Sequence, residues 1–315
     1  MLTFIGRRLL LAVPTLILVS VFTFSLQKLL PGDPVLTLAG EERSPETLAM
    51  LRHKYHLDDP VPVQYAHWIG GVLRGDLGYS LKTDQPVTQL IAAKLPITIE
   101  LACLAMLVAF ALGIPAGVIA AVRKGTAVDL GANVLALSGI SVPPFWLGVL
   151  MILLFAVKLH WLPASGFTPL WENPAQNLRT LLMPSLVIGA ALAASLMRHT
   201  RGAMLAVLGA DYIRTARAKG LLPGAVILKH AFRNALVPIV TLTTLLFGEL
   251  IGGAVLTEQV FTIPGFGKLI VDAVFTRDYA VVQGVVLCVA CAFVLLNLLA
   301  DVLYVVINPR MRVGA

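Results

Sequence analysis

Apolar runs of about 18 residues recur six times along this chain, each long enough to cross a hydrocarbon layer of roughly 30 Å as a single helix. They lie near residues 9–25, 99–122, 130–157, 181–197, 236–256 and 282–307. A lipid interior offers no water to backbone amides and carbonyls, so runs of this length must satisfy them within helices. Only 13% of the 315 residues are charged and 58% are hydrophobic, whereas a soluble domain carries about 25% charged residues. The expectation is an all-α polytopic membrane protein with about six transmembrane helices. Arg7 and Arg8 before the first run resemble the start of a signal peptide. The run is long and no small-residue cleavage site follows it, which predicts a retained anchor helix.

Orientation follows from the basic residues, because short cytoplasmic loops keep Lys and Arg while exported loops lose them. Six spans put both ends on one side. That side holds thirteen Lys and Arg, among them Arg123, Lys124, Arg198, Arg201, Lys229 and Arg233, against Asp129 and Asp211 alone. Both termini are therefore expected in the cytoplasm. The net charge of +7 sits beside membrane ends and lacks interleaved aromatic residues, which argues against nucleic acid. Cys288 and Cys291 lie three apart within the last run, not in the soluble βαβ setting that a redox pair requires.

Two regions are expected. Residues 1–97 comprise the first span and an external cap, with turn formers at Pro31-Gly32-Asp33-Pro34 and Gly75-Asp76-Leu77-Gly78. Ser44 before Pro45 predicts a helix start, continued by Glu46, Leu48, Leu51 and Leu57. Residues 98–308 form a core of five spans. Its largest internal loop, 198–235, is basic yet carries Leu205, Val207, Leu208, Ile213, Leu221, Leu222, Val226, Ile227 and Leu228 at helical intervals. A purely solvated connector would not need them. Gly220, Pro223 and Gly224 predict a turn between two short helices. Such a loop suits a knob presented to a cytoplasmic partner.

The string Asp211-Tyr212-Ile213-Arg214-Thr215-Ala216-Arg217-Ala218-Lys219-Gly220 resembles the signature of the permeases of ATP-binding-cassette importers, Glu-Ala-Ala with a Gly after three further residues. Arg214 and Thr215 stand where the general signature has Glu and the first Ala, as in the peptide and nickel permease branch. The resemblance covers essentially the whole chain. It includes Gly75-Asp76-Leu77-Gly78-Tyr79-Ser80, His230-Ala231-Phe232-Arg233-Asn234-Ala235, Pro264-Gly265-Phe266-Gly267 and Asn308-Pro309-Arg310-Met311-Arg312. It implies the type-I importer permease fold in a bacterial inner membrane, paired with a second, homologous permease subunit. Two cytoplasmic ATPase subunits and an extracytoplasmic solute-binding protein are the further partners implied. ATPase coupling is carried over to Ile213, Arg214, Thr215, Ala216, Arg217, Ala218, Lys219, Gly220 and Leu221. The solute is a di- or oligopeptide, with glutathione and nickel chelates as alternatives.

No nucleotide site is expected in this chain. Gly267-Lys268 lacks the upstream Gly at Thr262 and the Ser or Thr at Leu269 that a phosphate loop needs. ATP and Mg therefore belong to partner subunits, and no cofactor or metal is expected here. His53 and His56 are weak metal candidates in the cap, and no His-Glu-x-x-His pattern occurs. Glu249 is a carboxylate within a span, roughly 20 Å from the inner end of its helix at about 1.5 Å per residue. It reads either as part of a translocation path, contacting a peptide amino terminus, or as a helix-packing hydrogen-bond partner. Asn297 is the second path candidate. Asp301, one turn further on, reads as the structural partner of a basic loop residue. Pro143-Pro144 reads equally as a hinge or as a packing kink. A channel would not need the apolar docking loop, and a membrane-embedded hydrolase would need a base or metal set near its nucleophile.

Overall fold

The computed structural model describes residues 2–29, 35, 44–54 and 58–307. Pro31-Gly32-Asp33-Pro34, His56, Leu57 and the string Asn308-Pro309-Arg310-Met311-Arg312 lie outside the described residues, as does the side chain of Asp301. Helix α1, Leu2–Leu29, contains the apolar stretch Leu10–Ser25 and remains helical through Pro14. In the cap, α2 spans Pro45–Lys54 and α3 spans Val61–Val72. The Ser44 hydroxyl accepts the Thr47 amide proton at 3.2 Å, so α2 starts where its cap was expected. Helix α3 lies against the C-terminal half of α1. Ser20 and Tyr65 are hydrogen-bonded at 2.7 Å, and the rings of Phe24 and Tyr65 meet edge to face at 5.5 Å.

The Gly75–Ser80 motif folds as a tight loop directly after α3. Gly75 and Gly78 both have positive φ, near +83° and +82°, a conformation that side-chain-bearing residues rarely adopt. The Asp76 carboxylate accepts the Gly78 amide, and the Ser80 hydroxyl donates to Asp278 at the start of the last helix. Each glycine of the motif thus shapes a loop that pins the cap to a span 200 residues away in sequence, in round terms.

Helix α4 runs Val87–Val122, beginning twelve residues before the apolar run at 99. Its partner α7, Pro174–Leu208, is the other long central helix. They approach so closely that a Cβ on Gly117 would lie 2.7 Å from the Met197 carbonyl oxygen, and one on Gly113 2.7 Å from that of Ala193. In lipid, where apolar burial gives helices no reason to associate, small residues of this kind let backbones touch and collect dispersion energy. Leu101, Ala105, Ala109, Leu181, Met183 and Leu196 fill the rest of this seam.

The third expected span is not one straight helix. Helix α5, Ala127–Ser141, and α6, Pro144–Met151, which continues as a wide-turn π segment at Ile152–Lys158, meet at 93°. Pro143 and Pro144 cause the break: neither has an amide proton, and proline excludes the helical conformation from the residue before it. Val142 and Pro143 are accordingly extended. Helix α8, Asp211–Ala218, follows, and then α9, which begins at Pro223–Ala225, passes through π turns at Val226–Phe232 and continues as Arg233–Gly253. Short helices α10, Val255–Val260, and α11, Phe266–Phe275, precede α12, Tyr279–Ile307. Among the described residues four helices are long and apolar enough to span a bilayer, and the bent pair supplies a fifth crossing if it counts as one. The shorter apolar part of α1 stands where the first of the six was expected.

Candidate functional site

The internal loop forms one free-standing short helix rather than two. Helix α8 is followed by a turn at Gly220, with φ near +76°, and the residues beyond Leu222 already belong to α9. The turn closes by a bond from the Gly220 amide to the Arg217 carbonyl. Helix α8 is strongly two-faced. Ile213 and Ala216 are buried in the chain's own core beside Val226 and Ala231. Tyr212, Arg214, Thr215, Arg217, Ala218 and Lys219 face outward, and Gly220, Leu221 and Leu222 extend that exposed surface, Leu222 being 76% accessible. Of the nine coupling candidates, two therefore hold the helix to the spans and seven are open to a partner. Among the described residues Arg214 pairs only with Asp211 on the same helix, at 3.4 Å across an exposed surface, an interaction that contributes little.

Glu249 is exposed and lines a cavity of about 270 Å³ at the bend of the broken span. Pro144 and Phe145 of α6, Ile188, Ala191 and Leu192 of α7, Leu246 and Leu250 of α9, Ala254, and Leu256 and Thr257 of α10 form its other walls. No hydrogen bond or ion pair to another described residue satisfies the Glu249 carboxylate. The helix-packing alternative, a hydrogen bond to Thr or Ser, is not made among the described residues. Asn297 is exposed on α12 but does not line this cavity.

Three polar clusters escape sequence reading. Glu258 on α10 is completely buried; it accepts from the Thr98 hydroxyl of α4 and from the Lys268 amide at 2.8 Å. Thr98 in turn accepts the Phe266 amide proton at 2.8 Å. The Pro264-Gly265-Phe266-Gly267 turn thus wraps a carboxylate, and a side chain on Gly265 would collide with it. Burial pushes the Glu258 carboxyl above its ordinary range, opposed by the hydrogen bonds from Thr98, Lys268 and Gly267. Where α5 begins, Arg201 of α7 grips Asp129 of α5 with two parallel bonds of 2.6 and 2.8 Å, while the Gly125 amide and Asn133 donate to the same carboxylate. Asp278, buried, receives Ser80 as described. The partners are 160, 72 and 198 residues apart, beyond any local pattern. The Gly113-x-x-x-Gly117 spacing, by contrast, was a readable signal of close helix packing.

Residues 113–313 match the family described as binding-protein-dependent transport system inner membrane component, and residues 1–102 match the N-terminal region of such membrane components. The dipeptide transport system permease protein DppB of Escherichia coli is 45% identical over 338 aligned positions, covering 99% of each chain. A protein named as a peptide transport system permease in Brucella abortus is 44% identical over 306 positions, covering 97% of this chain and 98% of its own. Among solved structures, a chain of the inward-facing MetNI methionine ABC transporter superposes with a TM-score of 0.57 at 18% identity, over 70% of this chain and 97% of its own. That last likeness is one of fold.

Proposed function

Because the chain belongs to the family of binding-protein-dependent transport system inner membrane components, we propose that it is the permease subunit of an ATP-binding-cassette importer of di- or oligopeptides. On this reading it sits in a bacterial inner membrane with both termini in the cytoplasm. A second, homologous permease completes the path, two ATPase subunits bind from the cytoplasm, and a solute-binding protein delivers peptide from outside. ATP and Mg are held by the ATPases, so this chain binds no cofactor.

The observation that carries the coupling role is the two-faced α8. Ile213 and Ala216 tie it to the spans, while Thr215, Ala218, Lys219, Gly220 and Leu221 are left free for an ATPase groove. A push on the free face is transmitted through the buried face to α7 and α9, because packed side chains have little room to yield. Peptide is favoured as solute by the names of the two relatives and by the lack of a group of three or more His, Cys, Asp or Glu suited to a bare metal ion among the described residues.

The test is reconstitution with the second permease, the ATPases and the solute-binding protein, followed by uptake of labelled dipeptide. Uptake that needs both ATP and the binding protein is the expected result. Passive flux without ATP would support a channel instead.

A further inference from the structure

We infer that Glu249 and the cavity beneath the Pro143–Pro144 break form a binding subsite for the ammonium group of the transported solute. This rests on the importer reading above and deepens it.

A carboxylate at membrane depth is expensive unless it meets water, a cation or a hydrogen-bond donor. Glu249 has no such protein partner among the described residues, and the walls around it are mostly apolar, Phe145, Ile188, Leu192, Leu246 and Leu250, with Thr257 as the other polar side chain. An acceptor of this kind in an apolar cleft matches a ligand with one cationic end and an uncharged, partly apolar body. Its lone pairs are met by N–H donors, and the low-polarity walls strengthen the contact. The cavity, at about 270 Å³, lies just below the usual range for small-molecule sites, enough for one end of a solute.

Position supports the assignment. Glu249 is four residues from the end of α9 at Gly253, about 6 Å at roughly 1.5 Å per residue. It therefore stands in the outer half of the path, where a solute released from outside arrives first. The subsite exists only because the span is broken, since Pro144 and Phe145 at the start of α6 form one of its walls.

The test uses the full importer in proteoliposomes, with Ala-Ala and N-acetyl-Ala-Ala as probes and the affinity of the solute-binding protein for each measured separately. After correction for those affinities, Glu249→Gln should lower the ratio of free-amine to acetylated uptake roughly tenfold, as expected for losing a charge-assisted hydrogen bond. Glu249→Asp should keep most of the preference. A second readout does not need that variant to assemble. With Cys103, Cys288 and Cys291 replaced by Ser, Leu256→Cys places a thiol at the cavity wall, and Ala-Ala should shield it from a maleimide while N-acetyl-Ala-Ala should not. An unchanged uptake ratio in Glu249→Gln, or equal shielding by both peptides, overturns the inference while leaving the importer reading intact. Absence of any peptide uptake by the unaltered complex overturns both.

Discussion

Gly220 takes a left-handed backbone conformation at φ near +76°, and a Cβ there would meet nothing within 4 Å. The demand for glycine is therefore purely conformational, and a β-branched residue would cost about 1–2 kcal/mol of backbone strain. Gly220→Val is expected to insert normally but to lose most ATP-driven uptake, with Gly220→Asn intermediate because Asn tolerates this region. Proteoliposome uptake normalised to inserted protein measures it. Glu258 offers a pH test. Its folded carboxyl titrates above the ordinary 4.5, so its contribution is full below that value, where both states are protonated. It is lost as pH rises through the raised folded value, because the buried charge then disfavours the fold. Thermal unfolding midpoints in detergent should fall as pH rises above the ordinary 4.5 in the unaltered protein, with a smaller fall in Glu258→Gln. An identical slope in both would refute the assignment. Single residues of this kind were half legible in the sequence. Gly220 announced itself within a motif, whereas Glu258 looked like any loop acid, because its partner Thr98 lies 160 residues away.

At the scale of elements, the apolar stripe of the internal loop was visible in the sequence but its direction was not. Periodicity reports that a face is apolar, not whether it turns toward the spans or a partner. Here the stripe divides: Ile213 goes inward, while Leu221 and Leu222 stay out. The two should respond differently. Ile213→Ala, which empties a fully buried site, should destabilise the chain by about 2–4 kcal/mol. Leu222→Asp should leave the unfolding midpoint unchanged and reduce ATPase co-purification several-fold. If Leu222→Asp still retains the ATPases fully, that end of the loop lies outside the docking surface. The broken span was likewise half legible. Pro143-Pro144 signalled an interruption, but a 93° bend depends on what α6 packs against. Gly148 supplies that contact, since a Cβ there would lie 3.1 Å from the Phe261 ring. Restoring helix-competent residues with Pro143→Ala and Pro144→Ala should reduce uptake while preserving insertion, because the wall of the Glu249 cavity would move.

For the whole molecule, charge asymmetry carries the expected orientation, and two exposed leucines can test it. Leu73, 82% accessible, follows α3, and Leu222 lies beyond Gly220 at the start of α9. Neither packs into the core, so a cysteine at either should fold as the unaltered chain does. Lys and Arg are retained on the cytoplasmic side of short loops, and the segment between α7 and α9 carries Arg214, Arg217 and Lys219 with Asp211 as its lone acid. In a background with Cys103, Cys288 and Cys291 replaced, Leu73→Cys is expected to react with a membrane-impermeant maleimide in intact cells stripped of the outer membrane. Leu222→Cys should react only after the inner membrane is opened. The opposite pattern would invert the protein and place α8 where no ATPase could reach it, so the coupling assignment and the orientation stand or fall on the same labelling experiment.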